Sequence, residues 1–83
     1  MNKVLVKLYV PILDEVYDIW LPLNKKIYNI IHLLVNVINE LNDNCFQYVK
    51  LPRLYDKKTA TEYNVCLNLK ETDIRNGTEL ILL

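Results

Sequence analysis

Between Asn24 and Leu41 the chain reads NKKIYNIIHLLVNVINEL, and its apolar residues recur at the helical interval. Set at ~100° per residue, Ile27, Ile30, Ile31, Leu34, Val37, Ile38 and Leu41 fall on one stripe, flanked by Leu33 and Val35. Tyr28, Asn29, His32, Asn36, Asn39 and Glu40 take the other side. This pattern predicts one long amphipathic helix laid on an apolar layer. Asn24 is the expected N-cap, with Leu23 stapled onto Tyr28. Asn42-Asp43-Asn44, which tolerate left-handed backbone, should end it. At 1.5 Å rise per residue such a helix spans roughly 25 Å, enough to cross a small sheet.

The flanking segments change period from 3.6 to 2. Residues 3–10 (KVLVKLYV) alternate, sending Val4, Val6, Leu8 and Val10 one way and Lys3, Leu5, Lys7 and Tyr9 the other. Pro11 ends that strand, and Leu13-Asp14-Glu15 is the expected turn. A second strand starts at Val16, with Tyr17, Ile19 and Leu21 on one face and Val16, Asp18 and Trp20 on the other. Residues 42–50 show no period and read as a loop carrying Cys45, Phe46 and Tyr48. Two short strands are expected at Leu51–Asp56 and Thr61–Leu67, around a turn at Lys57–Ala60. Asn68–Asp73 should form one short helical or 3₁₀ turn, with Ile74 as an apolar anchor. The single glycine, Gly77, follows Asn76 in a tight turn feeding a last strand, Glu79–Leu83. There Leu80 and Leu82 point inward, Ile81 and Leu83 outward. The expected order is ββαβββ. The apolar LILL ending suits a central strand lying parallel to the first, which is the β-grasp plan, an α+β fold.

Composition narrows the function classes. Eighty-three residues form a single domain, residues 1–83, with a small core. Ten basic residues balance ten acidic ones, which argues against nucleic acid or an anionic membrane as partner. Cys45 and Cys66 belong to no CxxC or Cys/His cluster, so neither a metal nor a disulfide framework is expected. Lys7 breaks any signal-like apolar block, and no run approaches the ~20 residues of a membrane span. The reading is a soluble, cytoplasmic protein without membrane insertion.

The layout resembles that of ubiquitin-like proteins over nearly the whole chain. LPLNKKIYNII leads a hairpin through proline into the helix, and LKETDIRNGTELILL repeats the closing order of leucine, short turn, isoleucine, tight turn and strand. Among bacterial ubiquitin-like proteins the ending is most similar to the YukD/EsaB family, small cytoplasmic components linked to type VII secretion. The shared elements are Ile74, Asn76-Gly77 and Leu80-Ile81-Leu82. The resemblance implies a mixed sheet of four to five strands on one helix, and a role in secretion through protein contacts. It also carries a departure: conjugated and sulfur-carrying relatives of this fold end in Gly-Gly, whereas Leu82-Leu83 close this sequence. A non-conjugated module is therefore the expectation.

Candidate chemistry is sparse. His32 is the only histidine and lies on the polar helix face, where solvated surface is the better reading. A Cys45–His32 nucleophile lacks a third group to orient the base. No glycine-rich loop could cradle phosphate, so no cofactor and no enzymatic activity are expected. What remains is the sheet face turned from the helix, carrying Leu5, Tyr9, Val16, Trp20, Ile81 and Leu83. Isolated apolar residues on a surface are common. A contiguous patch rimmed by Lys3, Lys7 and Asp18 would instead mark a protein-binding surface, with Trp20 its expected anchor. One helix covers only one sheet face, which favours the second reading. The occupant is either another protein or a second copy forming a homodimer.

Overall fold

A computed structural model describes residues 2–42 and 50–83. The first half follows the pattern closely. Strand β1 (Lys3–Val10) buries Val4, Val6, Leu8 and Val10, and pairs antiparallel with β2 (Glu15–Pro22). Between them Leu13 and Asp14 donate backbone N–H bonds to Val10 and Pro11 carbonyls at 3.1 and 3.0 Å. Asp14 adopts φ +52°, a conformation aspartate tolerates, and Tyr9 Oη donates to its Oδ1 at 3.1 Å.

Helix α1 (Ile27–Leu41) seats Ile27, Ile30, Ile31, Leu34 and Ile38 in the core against the strands. Its start corrects the expectation. Lys26, not Asn24, holds the N-cap position, and no side chain caps it. Ile27 and Tyr28 instead donate their N–H groups to the carbonyls of Leu67 (2.8 Å) and Val65 (3.0 Å). A returning chain segment thus satisfies donors that a helix start leaves orphaned. Tyr28 is exposed and meets His32 edge-on, ring centroids 4.6 Å apart, while Leu23, its expected staple partner, packs against the core. At the far end Asn42 follows the helix at φ −112°, its Nδ2 donating to the Ile38 carbonyl at 2.8 Å, while Asp43 and Asn44 of the expected stop lie outside the described residues. Leu41 lies on the predicted stripe yet is 60% exposed, because the stripe outruns the buried part of the helix by a turn. The expected loop carrying Cys45, Phe46 and Tyr48 lies outside the described residues.

The second half is less regular than its sequence suggests. β3 is only Leu54–Asp56, and Thr61–Leu67 is not a strand. It makes one bridge, Tyr55 to Glu62, before its carbonyls turn to the helix start. Asp56 holds the intervening turn, its Oδ1 accepting the Lys58 and Thr59 N–H groups at 2.8 and 3.2 Å. Those bonds, the Lys58 one first, keep its carboxyl below the usual range. Tyr63 is buried beside it, its hydroxyl 3.2 Å from Asp56 Oδ2 and 3.0 Å from Asp73 Oδ1. Burial, then Asp73, pushes that phenol well above its ordinary pKa. A 3₁₀ turn at Leu69–Glu71 follows, with Glu71 Oε1 accepting the Asn68 N–H at 2.9 Å.

β4 (Glu79–Leu82) lies between β1, to which it is parallel, and β3, to which it is antiparallel, giving the sheet order β2-β1-β4-β3. Leu80 and Leu82 are buried as their alternation requires. Leu83 extends the ladder, exchanging backbone bonds with Arg53 at 2.7 and 2.9 Å. Among the described residues, four strands and one α-helix make this an α+β fold.

Asn76-Gly77 secures the approach to β4. Asn76 Oδ1 accepts the Leu5 N–H at 2.9 Å, and the Gly77 N–H donates to the Leu5 carbonyl at 2.8 Å. Gly77 holds φ +88°, and a Cβ built there would meet nothing within 4 Å. Substitution is therefore penalised by backbone strain alone. Gly77→Val is expected to cost about 1–3 kcal/mol and Gly77→Asn clearly less, read from urea midpoints. A valine variant as stable as the parent would contradict the left-handed turn.

Candidate functional site

The strand registers fix how the outer face is laid out. Val16, Tyr9, Ile81 and Tyr55 stand side by side across all four strands. Two residues along, Asp18, Lys7 and Glu79 form a charged row, with Lys7 Nζ 3.3 Å from Asp18 Oδ1. Beyond it Trp20 stands opposite Leu5. Lys7 and Asp18 were expected to rim an apolar patch; they cross it instead. The pair is well exposed on both sides, so its contribution is small, but it divides the face into two apolar areas.

The first area is partly furnished. Val16 is 55% exposed, whereas Tyr9 and Ile81 are half-buried. Tyr9 is tethered to Asp14 and covered by Lys57, whose Nζ lies 5.4 Å from the ring centroid. Its phenol is raised above the ordinary value, chiefly by the Asp14 hydrogen bond. Leu83 continues this face past Ile81 and is 60% exposed. Tyr55 belongs to the row and was missed, since its place follows only from the pairing of β3 with β4.

The second area is more open. Trp20 is 51% exposed and, with Leu5, Val6, Lys7, Asp18 and the Asn76-Gly77 turn, lines a shallow depression of about 380 Å³. Asn76 and Gly77 were read as turn residues only; the hydrogen bonds to Leu5 bring them to the site. The indole thus has an apolar neighbour, a charged flank and exposed backbone beside it, the mixture that suits an amphipathic anchor.

Among the described residues no cluster of three or more His, Cys, Asp or Glu side chains could hold a metal ion. His32 is exposed on α1 with its ring against Tyr28, while its suggested partner Cys45 lies outside the described residues. Cys66 is an exposed free thiol. No described helix is long and apolar enough to cross a membrane.

No family model and no curated protein matches the sequence. Solved structures do match. The EccD5 ubiquitin-like domain from Mycobacterium xenopi superimposes with a TM-score of 0.80 at 18% identity, covering 100% of this chain and 94% of that one. The ubiquitin-like domain of the Mycobacterium tuberculosis type VII secretion system protein EccD1 gives 0.77 at 15% identity, covering 100% and 99%. A chain of the MycP5-free ESX-5 inner membrane complex gives 0.81 at 15% identity; this chain spans all of its own length but 21% of that one. At such identities the likeness carries architecture rather than activity. The mixed sheet of four strands, its parallel central pair and the long helix seen among the described residues are those of the ubiquitin-like β-grasp fold.

Proposed function

We propose that the chain is a non-catalytic ubiquitin-like binding module, working in the cytoplasm as a component of type VII secretion. The likeness to EccD ubiquitin-like domains and the YukD/EsaB-like ending both support the secretion setting. One observation carries the binding role. Trp20, the only tryptophan, is half exposed beside Leu5 on a face that the helix does not cover. Nothing in the fold of β2 requires an indole at that place, since Leu21 and its neighbours on the other face supply the packing. A large, stiff, amphipathic ring there is an anchor in search of a partner surface.

Trp20→Glu tests this reading. The change should leave the circular dichroism and thermal midpoint near those of the parent while abolishing capture of the native partner from the source cell. Unfolding would mean that Trp20 belongs to the core. A folded variant that retains every partner and the parent's solution mass would remove this face from the function.

A further inference from the structure

The outward residues of β1 and β2 stand in three cross-strand pairs: Trp20 beside Leu5, Asp18 beside Lys7, and Val16 beside Tyr9. Each pair joins two groups that would also attract one another across an interface: an indole and a leucine, a carboxylate and an ammonium, a valine and a phenol ring. A two-fold axis laid along the strands, midway between β1 and β2, turns this local pairing into self-complementarity. It sets β1 of each copy opposite β2 of the other at equal height. Trp20 then faces Leu5 of the second copy, Asp18 faces its Lys7 and Val16 faces its Tyr9, and every contact is made twice.

Resting on the protein-binding reading of this face, we propose that its partner is a second copy of this chain, docked about that axis. Charge selects both the occupant and the axis. Moved onto β1, the same axis would set Lys7 on Lys7. Laid along the charged row, it would set Asp18, Lys7 and Glu79 each on itself, and such like-charge contacts oppose association. Between β1 and β2, the Lys7–Asp18 pair, 3.3 Å apart within each copy, meets its own reverse. Four charges of alternating sign then close a ring at the centre. Of the other charged groups, Lys3 would face Pro22 of the second copy, and Glu79 would fall past the edge of its β2. Asp14 is brought nearest its own counterpart, beside Tyr9 and the Lys57 ammonium over that ring. The depression at the other end suits an indole. Trp20 of the second copy would enter it above Leu5, between the first copy's Trp20 and Gly77, where a Cβ would meet nothing within 4 Å. Two strands of each sheet overlap, which buries less than the ~800 Å² per partner of a standard interface, so the dimer should be weak and dependent on concentration.

Sedimentation equilibrium of the whole chain over a dilution series should show monomer and dimer exchanging. Emission from Trp20, the only tryptophan, should move to shorter wavelength as the dimer forms. Lys7→Glu makes the four central charges all negative and should weaken association about tenfold or more; Asp18→Lys makes them all positive and should do the same. Both side chains are well exposed, so each variant should keep the parent's circular dichroism. Mixed in equal amounts, the two variants should pair with each other and restore the emission shift, because two carboxylates on one then face two ammonium groups on the other. A parent that stays monomeric up to millimolar concentration overturns the inference, and that measurement decides even if a variant unfolds. Two folded variants that fail to pair on mixing overturn it as well. If the parent is monomeric while Trp20→Glu loses a native partner, the face binds a different protein and only the second copy is excluded.

Discussion

Leu34→Ala is expected to lower the stability of the chain by about 2–5 kcal/mol, the usual loss for emptying a leucine site. Leu34 is fully buried at the middle of α1, in one core cluster with Ile30, Ile31, Ile38 and the buried residues of β1 and β4. A cavity there cannot fill from solvent, and the helix is held from both ends, so relaxation is limited. Total stability for a chain of this length is about 4–12 kcal/mol, so the variant could lose most of its folded population at 37 °C. Asn36→Ala, two residues away on the exposed side, should leave the denaturation midpoint almost where it was. Equal midpoints for the two variants would mean that the helix faces are assigned the wrong way round.

The elements that read well from the sequence are those whose period is local. The stripe from Ile27 to Ile38, the alternation of β1 and β2, the 3₁₀ turn after Asn68 and the Gly77 turn each depend on side chains within a few residues. Residues 51–68 read poorly because their partners are distant. The apolar residues of Thr61–Leu67 look like a strand, but the Val65 and Leu67 carbonyls are claimed by the helix start, some forty residues earlier in the chain. The same capture left Asn24, a good local cap, in an exposed turn. Leu41 failed for another reason: angular position predicts which way a residue faces, not where the sheet beneath it stops.

For the candidate face, parity alone assigned Leu5, Tyr9, Val16, Trp20, Ile81 and Leu83 to one side. What lies beside what required the register. Only the pairing of Lys7 with both Asp18 and Glu79 reveals a charged row through the apolar surface. Only the pairing of β3 brings Tyr55 alongside Ile81. Face is a property of one strand; neighbourhood is a property of the sheet.

Leu69→Ala is the change that should separate packing from capping. Leu69 is fully buried and opens the 3₁₀ turn, its N–H donating to the Lys25 carbonyl at 2.9 Å while the Lys70 N–H reaches Leu23 at 3.1 Å. These bonds pin the returning segment across the start of α1, where Val65 and Leu67 accept from Tyr28 and Ile27. Truncation should cost about 2–5 kcal/mol, comparable to Leu34→Ala. The distribution of the loss should differ. Removing the anchor frees the segment that caps the helix, so the Ile27 and Tyr28 amides should exchange with solvent through local opening at a smaller free energy than the global one. In Leu34→Ala the same amides should track the stability of the whole. Native-state hydrogen exchange on both variants distinguishes the two. Identical protection patterns, scaled only by overall stability, would show that the segment adds packing without governing the helix start.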